Sequence, residues 1–100
     1  MVELKPLSIE GRPFTTVTVE LPKTKLMAVY NETGYIMCGA LDVGLLNEKL
    51  SDRRIVAGRA VGVRSIEELL NAPLESVTLE AERLGIHKGM LGRDALLKMD

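Results

Sequence analysis

The first forty residues alternate between apolar and polar positions with a period of two, which predicts β-strands. The first predicted strand runs from Val2 to Ile9 and contains Pro6, whose missing N–H indicates an edge strand or a bulge. A turn is expected at residues 10–13. The following segment, 14–21, has valines on one face and threonines on the other, which is typical of a half-buried antiparallel strand.

Two further segments, 26–30 and 35–38, are apolar on both faces and predict a central hairpin. The loop between them, 31–34, has the length and the terminal glycine of a hairpin connection. A strand that is apolar on both faces needs cover on both sides. We therefore expect either that helices cover one face and a second subunit covers the other, or that the sheet curls on itself.

Beyond residue 39 the apolar period changes to that of a helix. Segment 41–50 has apolar residues at helical spacing, and Asp42 is the predicted N-cap. Segment 55–63 then predicts a return to strand, with Arg59 on an otherwise aliphatic face. The opposite face of that strand is built of small residues, which indicates close packing by another part of the backbone.

The C-terminal third predicts short helices. Ser65 and Glu68 form a capping box for a helix that ends near Asn71, before Pro73. A second helix is expected to end at Gly85 in a left-handed conformation. The apolar face of this second helix comprises Leu74, Val77, Ala81 and Leu84. A last helix is expected over 93–99. This order predicts an α+β fold of N-terminal antiparallel β-hairpins followed by a helix, a strand and C-terminal helices packed on the sheet.

Composition adds an expectation about assembly. The 100 residues are 46% hydrophobic, with a formal net charge of −1, and the only aromatic residues are Phe14, Tyr30 and Tyr35. We expect one domain, 1–100, in which 1–40 is a β-rich oligomerisation region and 41–100 a helix–strand–helix region. A chain of this size buries only about 60 to 70% of its unfolded surface, so the excess of aliphatic residues predicts a homo-oligomer.

The charge pattern also excludes several partners. The chain has no basic surface and few aromatic rings, so no nucleic acid is expected to bind. No segment has the roughly 18 uncharged apolar residues of a membrane span. The N-terminus resembles no signal peptide, and the single cysteine, Cys38, agrees with a reducing compartment. A cytoplasmic protein is therefore expected.

The turn from Cys38 to Asp42 is the first candidate site, because Cys38 and Gly39 precede a predicted helix. Helix N-termini lower the pKa of a nearby thiol and attract anions, and Gly39 allows a ligand to approach closely. The alternative is that Cys38 is a small buried hydrophobe.

A cysteine nucleophile needs a base, and His87 is the only histidine. The alternative is that His87 is a solvated loop residue. One cysteine and one histidine are too few for a structural zinc site, so no metal is expected. No cofactor is expected either, because the P-loop-like spacing of Gly39 and Gly44 lacks the following Lys and Ser or Thr.

Arg59 is the second candidate. A guanidinium within an aliphatic strand is costly unless it is paired, and it can hold a carboxylate or a phosphate through two parallel hydrogen bonds. Asp42 is one candidate internal partner. The alternatives are therefore a salt bridge within or between subunits and an anion-binding arginine.

Four sequence strings carry a family resemblance: GYIMCGALDV at 34–43, NEKL at 47–50, IVAGRAVGV at 55–63 and GRDALL at 92–97. By these strings the chain resembles the bacterial and archaeal family called domain of unknown function 1805 over nearly its full length. The resemblance implies an N-terminal β region associated with tetramerisation. It implies no established activity and no catalytic residues.

Three functional hypotheses follow from the sequence. The first is a cytoplasmic homo-oligomer that binds a small anionic metabolite through Cys38, Gly39, Asp42 and Arg59. The second is an enzyme with Cys38 as nucleophile and His87, or a residue of a neighbouring subunit, as base. The third is a structural subunit without a ligand.

Overall fold

The computed structural model describes residues 1–39, 47–48 and 53–99. Its strands are β1 (Val2–Ile9), β2 (Arg12–Leu21), β3 (Thr24–Tyr30), β4 (Gly34–Met37), β5 (Val56–Arg59) and β6 (Ser76–Val77). Its helices are α1 (Ile66–Asn71), α2 (Leu79–Arg83) and α3 (Gly92–Leu96). The predicted α+β class is confirmed.

The six strands form one sheet in sequence order, and β4 pairs with β5 in parallel while the other neighbours are antiparallel. The predicted edge strand is β1, where Pro6 lies opposite Thr15. Glu10 and Gly11 connect β1 to β2 with φ values of 51° and 80°, as a two-residue hairpin turn requires. The central hairpin, β3 and β4, lies where the sequence predicts it.

The helices pack on one face of the sheet. That face includes Phe14, Thr16, Val29 and Ile36, all buried, and a Cβ added to Gly92 of α3 would lie 2.8 Å from Ile36 Cδ1. The hydroxyl of Thr16 donates to the carbonyl of Lys5 at 3.2 Å, so its burial leaves no hydroxyl proton unpaired. The threonine side of β2, rather than its valine side, therefore contributes to the helix-covered core.

Strand β5 is shorter than the sequence predicts: residues 56–59 pair with β4, and of these only Gly58 and Arg59 also pair with β6. Its small face is tightly packed at Gly58, but against a side chain rather than the backbone that the sequence predicts: a Cβ added to Gly58 would lie 2.7 Å from Leu74 Cδ1. The last helix is also shorter than predicted and covers Gly92–Leu96.

The prediction that Leu74 and Val77 share one helix with Ala81 is wrong. Ser76 and Val77 form β6 against β5, and Thr78 then caps α2. Pairing with β5 provides hydrogen-bond partners for the backbone groups of this segment, so a helix is not needed to satisfy them. A β-branched residue at position 77 also favours a strand. The predicted C-terminal cap of the helix is confirmed, since Gly85 has φ 88° and the N–H of Ile86 donates to Ala81 O.

The capping box at α1 is confirmed in its first half only. Ser65 Oγ accepts from the N–H of Glu68 at 3.1 Å, whereas the Glu68 carboxylate accepts from the N–H of Arg64. The helix predicted over 41–50 lies mostly outside the described residues; Asn47 and Glu48, which are described, are helical.

Candidate functional site

Arg59 ends β5 on the sheet face opposite the helices that cover Ile36, next to Met37 of β4 and Ser76 of β6. The N–H of Glu75 donates to Arg59 O at 2.7 Å, which places Glu75 beside the arginine. The Glu75 carboxylate lies 3.5 Å from Arg59 Nη1, and its side chain is 45% exposed. The expected ion pair therefore forms with Glu75. The partner suggested by the sequence, Asp42, lies outside the described residues.

The ion pair leaves part of the guanidinium without an acceptor. In the described part of the chain, the buried side-chain polar atoms without a hydrogen-bond partner are Arg59 Nε and Ser76 Oγ. Arg59 and Ser76 are register partners, so their side chains leave the same face of the sheet from neighbouring strands. Buried polar atoms almost always have a partner, so two adjacent exceptions require an explanation.

Gly39 lies next to the guanidinium. A Cβ at this position would be 3.8 Å from Arg59 Nη2 and 3.7 Å from Val61 Cγ1. A side chain at residue 39 would therefore contact Arg59 and Val61 without a clash. The structure thus brings together two of the predicted site residues, Gly39 and Arg59.

Cys38 lies at the same end of β4 but is directed into the core. The residue is 6% exposed, its N–H donates to Met27 O, and its Sγ accepts from the N–H of Met27 at 3.4 Å. The thiol is free of any disulfide. This environment is that of a small buried hydrophobe, in which attack on a substrate would require local opening.

His87 is exposed, and its Nδ1 lies 3.0 Å from the carbonyl oxygen of Lys88. In the described chain no hydrogen bond joins it to Cys38. No group of three or more His, Cys, Asp or Glu side chains that could hold a metal ion occurs in ranges 1–39, 47–48 and 53–99. Nor does any helix found there have the length and hydrophobicity to cross a membrane.

A cleft of about 590 Å³ lies where β2 extends past the end of β3. Its lining includes Phe14, Tyr30 and Met99. At its border the Arg12 guanidinium donates to the carbonyls of Leu97 and Met99 and lies over the Phe14 ring. Asn31 Nδ2 also donates to Met99 O. These contacts fasten the C-terminal segment to the sheet.

Sequence reasoning missed Glu75, Ser76 and Arg12. Glu75 and Ser76 fall in a segment with helical apolar spacing, and a two-residue strand leaves no periodic signal. Arg12 falls in the turn predicted at residues 10–13, where an arginine is usually solvated, whereas in the structure it begins β2. The available signal was Arg59 itself, because a charged residue within an aliphatic strand requires a polar neighbour.

Fold and site together define a small α+β protein with a mixed six-stranded sheet and a polar cluster around one arginine. The family model described as "Domain of unknown function (DUF1805)" matches residues 37–99, and the chain belongs to this family. It is 73% identical over 99 residues to an uncharacterised protein, YunC, of Bacillus subtilis; the match covers 99% of this chain and 98% of the relative.

A crystal structure of a protein of unknown function from Thermoplasma acidophilum, TA1206, has a closely similar fold. The TM-score is 0.88 at 25% sequence identity, and the superposition covers 100% of this chain and 94% of that chain.

Proposed function

We propose that this protein binds a small anionic metabolite at Arg59 and Gly39. The observation that carries the proposal is the buried Nε of Arg59, which has no acceptor in the described chain. A desolvated N–H of a charged group is costly to leave unpaired, and an oxyanion supplies the missing acceptor.

The arrangement of the guanidinium supports this proposal. Glu75 approaches Nη1, while Nε is left without a partner and Nη2 lies next to Gly39. Two oxygens of a carboxylate or a phosphate fit the parallel N–H groups at Nε and Nη2. Glu75 then keeps the arginine in place when the ligand is absent. Cys38 enters this proposal only as the residue before Gly39, because its thiol points into the core, and Asp42 enters it only by its position in the sequence.

The test is thermal unfolding with increasing sodium acetate or sodium phosphate, with ionic strength held constant by chloride. Binding at a hundredfold excess over Kd stabilises the folded state by about 2.7 kcal/mol, which is a shift of several degrees in Tm. Arg59→Lys removes Nε–H and should abolish the shift, whereas Arg93→Lys, at an exposed position of α3, should retain it. Equal shifts in wild type and Arg59→Lys, or no shift with either anion, would contradict the proposal.

The cysteine-dependent enzyme is the alternative, and the burial of Cys38 weighs against it. Iodoacetamide labelling at pH 6 separates the two. An activated thiolate would be labelled in the folded protein faster than a free thiol, whereas a packing residue is labelled only after unfolding. The anion-binding proposal also includes a cytoplasmic location, and the free thiol of Cys38 agrees with a reducing compartment.

We also propose that the protein is a homo-oligomer built through the N-terminal sheet. The face of β1–β3 opposite the helices consists of Val2, Leu4, Pro6, Ser8, Pro13, Thr15, Val17, Val19, Leu21, Thr24, Leu26, Ala28 and Tyr30. Val2 is 65% exposed and Leu4 is 62% exposed. Exposed aliphatic residues on a largely apolar face are typical of a protein–protein interaction site.

A second copy of the chain is the partner that this face fits. None of its positions in β1–β3 carries a charge, so two copies can meet face to face without repulsion between like charges. Leu4→Lys should give a smaller species in light scattering after gel filtration. Leu79→Lys, at a position that is 54% exposed on α2, is the matched control and should leave the mass unchanged. A monomeric wild type would contradict the proposal. If the protein is instead a structural subunit without a ligand, it should assemble but show no thermal shift with either anion.

A further inference from the structure

Ser76 carries an inference that rests on the proposed anion site and goes beyond it. Its Oγ is buried without a hydrogen-bond partner in the described chain, and so is Nε of its register partner Arg59. We infer that Ser76 is a second ligand-binding residue and that the ligand is the carboxylate of a small apolar acid.

The hydrogen-bonding capacities of the two groups are complementary to one acceptor. Arg59 Nε has a proton and no lone pair, and the serine hydroxyl can turn its proton towards the same point. Side chains of register partners in an antiparallel pair have Cβ atoms about 5 Å apart, so one oxygen atom can accept from both. The second carboxylate oxygen then faces Nη2, which lies next to Gly39.

The surroundings of this pair favour a single negative charge. The Glu75 carboxylate lies 3.5 Å from Arg59 Nη1 and repels every further anionic group placed near it. Because Glu75 already pairs with Arg59, a monocarboxylate brings the net charge of the cluster to −1, whereas a phosphate dianion brings it to −2. The site should therefore prefer a carboxylate to inorganic phosphate.

The side chains of Met37 and Val61 near this pair are apolar, and they indicate the chemistry of the part of the ligand that is attached to the carboxylate. Met37 is the register partner of Arg59 on β4, and Val61, which is 49% exposed, lies beside Gly39. An aliphatic group attached to the carboxylate would cover these side chains, and the burial of their apolar surface would stabilise the complex. A short branched acid has this chemistry, whereas a polyhydroxylated acid does not.

The experiment uses isobutyrate and inorganic phosphate as probes of the full chain at pH 7, followed by ¹H–¹⁵N NMR. Isobutyrate should shift the Nε–H signal of Arg59 and the amide signal of Ser76, and it should bind at least tenfold more tightly than phosphate. Ser76→Ala should weaken isobutyrate binding about tenfold to a hundredfold, the value of one hydrogen bond to a charged group. Ser8→Ala, at an exposed serine of β1, is the control and should not change the affinity.

The outcomes separate this inference from the proposed function. Binding of phosphate as tight as that of isobutyrate, or full isobutyrate affinity in Ser76→Ala with loss in Arg59→Lys, would overturn the inference while the anion site stands. If neither probe moves the Arg59 Nε–H signal, the proposed function fails together with the inference. Shifts at Arg59 and Ser76, with the expected loss in Ser76→Ala, support both.

Discussion

Single polar side chains hold distant segments of this chain together. Arg12 at the start of β2 donates to Leu97 and Met99, and Asn31 donates to Met99 as well. Met99 is fully buried, so its carbonyl has little access to water. The C-terminal segment is thus attached to the sheet by charged and amide donors as well as by apolar packing.

Arg12→Ala should lower the free energy of unfolding by about 2–3 kcal/mol, because it leaves two backbone carbonyls without their charged donor. Urea unfolding at a fixed protein concentration measures the change. Arg93→Ala, at an exposed site of α3, removes the same charge and should alter stability by less than about 0.5 kcal/mol. Equal effects of the two variants would show that the carbonyl contacts of Arg12 contribute nothing.

Tyr35 provides a pH-dependent signal at the residue scale. Burial raises the pKa of its phenol above the ordinary value of 10.0. The folded state therefore keeps the proton to higher pH than the unfolded state does. The stability that the neutral phenol contributes is complete below about pH 10 and is lost as the pH rises through the folded-state pKa.

Tyr35→Phe should consequently lose less stability than wild type between pH 9 and 11.5. Urea midpoints measured across this range give the comparison. A parallel decline in wild type and variant would show that Tyr35 ionises equally in the folded and unfolded states.

At the scale of elements, Thr78 joins β5 to α2. Its Oγ1 accepts from the N–H of Ala57 at 3.1 Å and from the N–H of Ala81 at 3.2 Å, and the residue is 2% exposed. The same hydroxyl thus caps the helix and satisfies a buried strand amide. Ser65 caps α1 in a simpler way, at an exposed position with one bond to Glu68.

Thr78→Val should therefore cost more than Ser65→Ala. We expect about 2–4 kcal/mol for Thr78→Val, the sum of a lost cap and a buried N–H left unpaired. For Ser65→Ala we expect about 1 kcal/mol. Thermal and urea unfolding measure both, and a smaller cost for Thr78→Val would contradict the double role of its hydroxyl.

At the scale of the whole molecule, the proposed assembly makes stability depend on protein concentration. Folded subunits that associate are stabilised by mass action, so Tm should rise by a few degrees over a hundredfold increase in concentration. Val17→Lys, on the uncharged face of β2, should remove this dependence, while Leu79→Lys should retain it. A wild-type Tm independent of concentration would indicate that the sheet face is not a subunit contact.

Much of the fold could be predicted because its signals are local. Alternation, turn residues and caps identified β1 to β4, the Ser65 cap and the Gly85 cap, since each depends on a few consecutive residues. The need of Arg59 for a polar partner could also be predicted locally, because the residue is a charge within an aliphatic strand. The two-residue strand β6 could not be predicted, because its formation depends on β5, which lies 17 or more residues earlier.

The sequence by itself determined the class of fold, most strand positions and the need of Arg59 for a partner, because these follow from short-range periodicity and the cost of burying a charge. Only the tertiary structure decided which face of β2 the helices cover, since both faces of the central strands are apolar. It also placed Ser76 beside Arg59 through the pairing of β5 with β6. Pairing between distant segments is set by packing of the whole chain, and no single stretch of sequence carries it.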